Sequence, residues 1–223
     1  DGPLNMREVH RYIADVTLYG DVLGAVAKRL QAGKLPASGK KIAVVGAGPS
    51  GLAAAFYLVL FGHSVTVYDS REEAGGMLRY ALPEYRLPKA ELAREIGVLS
   101  GLGIRFEFGK ELGVSLSLDS LEQENDAVFL AIGTWRENAA GIAGEEGPGV
   151  WSAIGFLEQV VRAKAPDMGK RVVVIGGGNA AVDSARNCVR LGCDVTIAYR
   201  REREDMPAIA EEVVDAEREG VSL

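Results

Sequence analysis

Two stretches of this chain repeat one strand–turn–helix–strand pattern at a fixed offset. Gly46-Ala-Gly48-Pro-Ser-Gly51 follows the apolar run Ile42 to Val45, and Gly176-Gly-Gly178-Asn-Ala-Ala181 follows Val172 to Ile175, 130 positions later. The register continues outward, because His63-Ser-Val-Thr-Val-Tyr68 aligns with Cys193-Asp-Val-Thr-Ile-Ala198. Short runs rich in β-branched residues read as strands. A glycine turn that opens a helix between two such runs makes a βαβ unit, whose crossover requires parallel strands. One Gly-rich turn is a weak signal; two in register, each with its flanking strands, leave few alternatives.

The expected fold class is therefore α/β, with two Rossmann-like (three-layer) dinucleotide-binding domains after a short helical N-terminal segment. Residues 1–40 form that segment and a linker: Met6, Val9, Ile13 and Val16 keep a helical period, as do Val22, Leu23, Val26 and Leu30, and Pro36 and Gly39 interrupt it. Residues 41–150 form the first domain. They hold strand Lys41–Val45, a helix from Ser50 to Phe61, strand Ser64–Tyr68, a loop from Ala74 to Pro88 and a helix from Lys89 to Leu99. Strands from Ile104 to Phe108 and from Asp126 to Ala131 complete it, and the stretch from Gly141 to Gly149 is a crossover. Residues 151–223 form the second domain, incomplete as it stands. Its elements are a helix from Ala153 to Ala163, strand Arg171–Ile175, helix Asn179–Arg190, a strand from Asp194 to Tyr199 and a helix from Ala208 to Arg218. The chain starts at Asp1 and stops at Val221-Ser-Leu223, where a further strand begins, and is read as a segment of a longer protein.

Composition excludes other classes. The formal net charge is −6 and no basic face is visible, which argues against a nucleic-acid partner. The longest apolar stretch, Leu52 to Gly62, is too short to span a bilayer and sits after a glycine turn, so a buried helix is expected. The two cysteines, Cys188 and Cys193, are neither a C-x-x-C redox pair nor a cluster-binding set. They are expected to be reduced, structural thiols of a cytoplasmic protein. His10 and His63 lie far apart without a ligand pattern, so no metal site is assigned.

At the first turn, Gly46 permits the tight reversal, Gly48 lets backbone approach a pyrophosphate, and Gly51 lets helix pack on strand. Pro49 and Ser50 complete a helix N-terminus whose free N–H groups and partial positive charge suit phosphate. Asp69, 18 residues past Gly51 at the end of the second strand, is placed to accept hydrogen bonds from an adenosine ribose. At the second turn, Gly176, Gly178 and Ala181 repeat the geometry, with Ala180 beside them. Asn179 either caps the helix or touches phosphate. The position matching Asp69 is Tyr199, followed by Arg200 and Arg201. An acid there would repel a 2′-phosphate, whereas guanidinium groups bind it with charge-assisted hydrogen bonds. This argues for NADP(H) over NAD(H), although the alternating signs from Arg200 to Asp205 also fit a solvated turn.

The loop Ala74-Gly-Gly-Met-Leu-Arg-Tyr-Ala-Leu-Pro-Glu-Tyr-Arg-Leu-Pro-Lys89 and the segment Tyr199-Arg-Arg-Glu-Arg-Glu-Asp-Met-Pro-Ala208 resemble signatures of the glutamate synthase small-subunit (beta-chain) family of FAD/NAD(P)-dependent oxidoreductases. The resemblance implies FAD in the first domain, with Gly76, Met77, Leu78 and Arg86 along it and Arg86 pairing with the pyrophosphate, unless Arg86 is a solvated loop charge. It implies that Gly113-Val114 meets the adenine, although Val114 also reads as a buried strand residue. Ala131-Ile-Gly133-Thr134 matches the family's motif at the end of the FAD half; glycine after an apolar strand again allows close backbone approach. Ala81 departs from the family's usual glycine. Asp183 matches an acid of the family, and a hydrogen bond within its own helix region is the preferred reading.

Arg11-Tyr-Ile-Ala-Asp15 looks like the helix joining the family's cysteine-rich iron–sulfur domain to its FAD domain. Iron–sulfur clusters are therefore expected only outside this segment, on an electron-transfer domain or larger catalytic subunit that acts as partner. The implied activity passes a hydride between NADPH and FAD and relays electrons to that partner. Such chemistry rests on alignment of cofactors, so no catalytic residue is assigned. A disulfide reductase would need an adjacent dithiol, which is missing here. A non-catalytic nucleotide-binding scaffold or regulatory subunit of a redox complex is the alternative from another class.

Overall fold

The computed structural model describes residues 6–18, 22–137 and 139–223. The chain divides into two compact units, one holding the residues up to Leu78 with Pro88–Gly133, the other Arg79–Leu87 with Thr134–Leu223. The first opens on helices α1 (Met6–Leu18) and α2 (Val22–Ala32), followed by β1 (Lys41–Val45), α3 (Pro49–Leu60) and β2 (Ser64–Tyr68). A single helical turn, α4 (Met77–Tyr80), falls where the chain passes from the first unit to the second; the first unit resumes with α5 (Lys89–Gly101), β3 (Arg105–Glu107), α6 (Leu118–Glu124) and β4 (Ala127–Leu130).

Its four strands form a parallel sheet in the order β3-β2-β1-β4, with Ile42 opposite Val65 on one side and Ala127 on the other. β1 is central and buried on both faces from Ile42 to Val45, which explains its unbroken apolar run. Val44 joins Leu52, Ala55 and Val59 of α3 with Leu102 and Ile104 on one face, backed by Ile96 and Leu99 of α5. Ala43 and Val45 meet Leu121 of α6 on the other. These are the three expected layers. Two expectations needed correction. α3 is buried along one face only, leaving Tyr57 and Phe61 exposed. α6 was not foreseen, because two leucines in seven residues carry little periodicity; its start is set by Ser117, whose Oγ accepts from Ser120 N at 3.0 Å.

The second unit contains α7 (Ala153–Val161), β5 (Arg171–Ile175), α8 (Asn179–Arg190), β6 (Asp194–Ala198), a 3-10 turn at Arg203–Asp205 and α9 (Ala210–Arg218). β5 and β6 pair in parallel, with Val172 opposite Val195. Val182, Ala185 and Cys188 of α8 form its core with Phe156, Leu157, Val195, Ile197, Val213 and Ala216. β5 alternates: Val173 and Ile175 are 65% and 63% exposed, while Val172 and Val174 pack on the core. The strand expected at Val221–Leu223 is a bridge, in which Ser222 N donates to Val195 O and Ile197 N to Ser222 O.

Candidate functional site

Three segments far apart in sequence converge on the first turn. Gly46 sits at φ +110°, its N–H donating to Tyr68 O at 2.7 Å, and a Cβ there would stand 2.1 Å from Ala131 O. The glycine therefore makes room for the end of β4 as well as for the reversal, and Ala131 N donates to Val45 O at 2.7 Å. A Cβ on Gly51 would lie 1.8 Å from Gly46 O, so helix and strand touch where the spacing predicted. Gly76, at φ +52°, approaches Gly48 so closely that its Cβ would fall 2.7 Å from Gly48 Cα, and Gly75 N donates to Ala47 O. The Gly75-Gly76-Met77-Leu78 segment thus lies against the turn, with Leu78 N donating to Gly75 O.

The N-terminus of α3 has Gly48 as its N-cap, Pro49 in its first turn and no capping side chain. The donors of the first turn, Ser50 and Gly51 among them, are not taken up by a cap. Facing glycine backbones and an uncapped helix N-terminus make a cradle that fits a dinucleotide's diphosphate. Asp69 is held at its rim: Oδ2 accepts from Ala47 N at 2.6 Å and Oδ1 from Arg71 N at 2.8 Å. Val114 differs from its strand reading. It is 78% exposed in a turn, its N–H donating to Glu111 O, with Gly113 at φ +85°. Gly133, at φ +71°, and Thr134 close the segment after β4.

The second turn repeats the plan with altered parts. Gly176 N donates to Ala198 O at 3.0 Å, with φ +133°, and Ala181 fits where the first copy has Gly51. Gly178 is the N-cap of α8 without a capping side chain, and nothing would meet a Cβ on it. Neither reading of Asn179 anticipated its observed contact. It does not cap α8; its Oδ1 accepts from Ile209 N at 2.9 Å, tying down the start of α9. Ala180 O accepts from Ser184 Oγ inside the helix. The Tyr199 ring covers Gly177 and its hydroxyl donates to Asp205 O at 3.1 Å. Arg200 and Arg201 are exposed and make no ion pair among the described residues, whereas Arg203 Nε donates to Glu217 at 3.1 Å. The alternating charges are thus not equivalent.

A buried charge network lies elsewhere in the second unit. Arg86 Nη1 donates to Asp183 Oδ2 at 2.8 Å and Oδ1 at 3.1 Å, with Glu212 3.7 Å from Nη2. Asp183 therefore pairs outside its own helix, correcting the local reading, and Arg86 is committed to a carboxylate, not solvated. Tyr85 donates to Asp183 at 3.3 Å and lies under the guanidinium groups of Arg186 and Arg190. Arg186 also bonds Glu212 and Glu219, and Arg190 bonds Glu219 at 2.7 Å. Burial pushes the Asp183 carboxyl above its usual range, against the pull of Arg86; burial and then the Asp183 charge push the Tyr85 phenol up. This network was not legible, because nothing in sequence links residue 86 to residue 183.

The remaining polar groups have structural settings. Cys188 and Cys193 are free thiols; burial, then Cys193, pushes Cys188 up to about 11. His63 Nδ1 bonds Ser38 Oγ at 2.7 Å. Among the described residues no group of three or more His, Cys, Asp or Glu could hold a metal ion, and no helix is long and apolar enough to cross a membrane.

Comparison with known proteins agrees with this geometry. Residues 40–221 match the family model described as pyridine nucleotide-disulphide oxidoreductase. The chain is 41% identical over 99% of its length to the NADP(+)-dependent formate dehydrogenase subunit beta of Moorella thermoacetica, covering 34% of that protein. It is 36% identical over its whole length to the glutamate synthase [NADPH] small chain of Escherichia coli, covering 48% of it. The chain thus spans about a third to a half of the relatives it matches. Among solved structures, Mycobacterium tuberculosis FprA in complex with NADPH superposes with a TM-score of 0.69 at 23% identity, over 82% of this chain and 48% of FprA. That likeness shows a shared Rossmann-like fold. The chain belongs to the pyridine nucleotide-disulphide oxidoreductase family, among relatives that include glutamate synthase small chains.

Proposed function

We propose that this chain is the nucleotide-binding part of a flavin-dependent NADPH oxidoreductase. In this reading FAD occupies the first turn, NADP(H) the second, and electrons leave for an iron–sulfur domain or a larger catalytic subunit. The observation that carries it is the difference between the copies. One strand ends on Asp69 braced against its glycine turn; the other ends on Tyr199 followed by two arginines without carboxylate partners among the described residues. An acid suits the paired hydroxyls of a ribose, and guanidinium groups suit a 2′-phosphate. The names of the relatives support the pyridine-nucleotide and multi-subunit parts of the reading, since they include subunits and small chains of NADP-linked enzymes.

In this proposal Gly46, Gly48, Pro49, Ser50, Gly51 and Asp69, with Gly76, Met77 and Leu78, hold the FAD diphosphate and ribose. Ala131 and Gly133 close the same cradle, and Val114 meets the adenine. Gly176, Gly178, Asn179, Ala180, Arg200 and Arg201 hold the second nucleotide. Arg86 we assign to pairing with Asp183, since Nη1 would have to leave that carboxylate to reach a pyrophosphate. When bound, the two cofactors supply hydride transfer between nicotinamide and flavin; the protein's part is to bind them, align them and keep water out. Two free thiols support a reducing, cytoplasmic setting.

Visible absorbance tests the proposal. The full-length protein should be yellow when purified and should bleach on anaerobic addition of NADPH. A colourless protein that binds nucleotide without redox change would overturn it in favour of a scaffold.

A further inference from the structure

Helix α8 ends in a turn that sets the two cysteines side by side. Cys193 N donates to Cys188 O at 3.0 Å and Gly192 N to Val189 O at 2.9 Å, with Gly192 at φ +87°. This nested pair of bonds around a left-handed glycine is the Schellman stop, which commonly brings the outer two residues of the pattern into side-chain contact. The same turn closes α3, where Leu58 and His63 hold the outer places, and α9, where Ala216 and Val221 do. Leu58 and His63 lie 130 positions before Cys188 and Cys193, so the duplication supplies its own comparison. The turn needs its glycine; it does not need cysteines. Only in the second copy does it hold two thiols.

We propose that Cys188 and Cys193 form a dithiol that hydrogen peroxide converts reversibly to a disulfide at the C-terminal end of α8. The hydrogen bond between their backbones keeps the two Cα atoms no more than about 7 Å apart, within the reach of a disulfide. Cys188 is 1% exposed in the core of the second unit, and half-buried Cys193 packs against that core. The roles follow from access. Burial, then Cys193, pushes the Cys188 thiol up to about 11, so the first attack falls to Cys193. Its sulfur attacks a peroxide oxygen: an S–O bond forms, the O–O bond breaks, and the released hydroxide takes the thiol proton as water. Cys188 sulfur then attacks Cys193 sulfur: the S–S bond forms, the S–O bond breaks, and the hydroxyl leaves with the Cys188 proton as a second water. The two thiols give up two electrons, and the peroxide takes them. To bridge, Cys193 Sγ leaves Gly169 O, to which it donates at 3.3 Å, a weak bond for a thiol. α8 has 12 residues and is about 18 Å long, so the pair stands at the opposite end from the second glycine turn. It is therefore a modification site apart from the nucleotide cradle.

Peptide mapping of the full-length protein tests this. The reduced protein is treated with hydrogen peroxide, blocked with N-ethylmaleimide and digested with trypsin without reductant. Cleavage after Arg186, Arg190 and Arg200 puts Cys188 on Asn187–Arg190 and Cys193 on Leu191–Arg200. The two blocked peptides should be lost and replaced by one joined species, their summed mass less two hydrogens, which dithiothreitol parts. In Cys188→Ser, dimedone should trap a sulfenic acid on Cys193, because the resolving thiol is gone. In Cys193→Ser, Cys188 should remain a free thiol after the same exposure. Circular dichroism verifies that both variants fold, and the parent digest decides alone should either misfold. The proposal falls if the parent's Cys193 is oxidised, or left untouched, while Cys188 stays blocked by maleimide. It falls equally if either cysteine pairs with one elsewhere, or if Cys188 oxidises in Cys193→Ser as fast as in the parent.

Discussion

Replacing Arg86 with methionine removes the cation opposite Asp183 while keeping the side chain's length. The Asp183 side chain is 6% exposed and that of Arg86 18%, so the pair is shielded from water. Removing one member of such a pair leaves an uncompensated buried charge, which costs about 3–5 kcal/mol. Tyr85 still donates to Asp183 at 3.3 Å, which puts the expected loss near the lower end, at about 3 kcal/mol. The pH dependence has a definite sign. Burial already raises the Asp183 carboxyl above the ordinary carboxylate value of 3.8, and losing Arg86 raises it further. A carboxyl raised on folding binds its proton more tightly when native, so it favours the folded state at low pH. Its penalty grows as pH climbs from 3.8 to the folded value, by about 1.4 kcal/mol per unit. The variant's deficit should therefore be largest near neutrality and shrink towards pH 5. Both tryptophans, Trp135 and Trp151, lie in the second unit, so urea unfolding followed by their fluorescence reports on that unit. Arg86→Met combined with Asp183→Leu should recover most of the loss, because the charge left behind is gone. A deficit below about 1 kcal/mol that does not change with pH would refute the reasoning.

Two further outcomes follow from local geometry. Gly51→Ala, whose Cβ would lie 1.8 Å from Gly46 O, should destabilise the first unit by more than about 3 kcal/mol. Gly48→Ala, nearest to Gly76 Cα at 3.8 Å, should melt close to the parent while losing nucleotide affinity; similar melting of both variants by differential scanning calorimetry would contradict this. Cys188, with its thiol at about 11, should hold about one part in a thousand as thiolate at pH 8 and resist iodoacetamide in the native protein. Mass spectrometry should find Cys193 labelled first, and rapid labelling of Cys188 would show that its burial is only apparent.

Much of the fold was legible because β1, buried on both faces, leaves an unbroken apolar run, and the other strands keep their β-branched residues between turn signals. β1, β2, β5 and α8 occur at the bounds their patterns predicted. α6 escaped because its fold comes from Ser117 capping and one buried leucine, signals too small to separate from a polar loop. At the candidate site, the glycine spacing was informative because glycine positions report backbone that must pass close to something. What they pass close to was hidden: Ala131 O for Gly46, Gly76 for Gly48, the Tyr199 ring for Gly177. Side chains whose partner is distant in sequence were misread for the same reason. Asn179 reached Ile209 instead of its own helix end, and Asp183 reached Arg86.

The duplicated turn, its strands and the contrast of Asp69 with Tyr199-Arg200-Arg201 were determined by sequence alone, because backbone freedom, periodicity and charge are properties of residue type at a position. Which arginines remain available, which carboxylates are already paired and why residue 177 must lack a side chain were decided only by tertiary structure. Those are contacts across 14 to 97 positions of chain, and a hydrogen bond or a steric clash exists only once folding has brought both partners within a few ångströms.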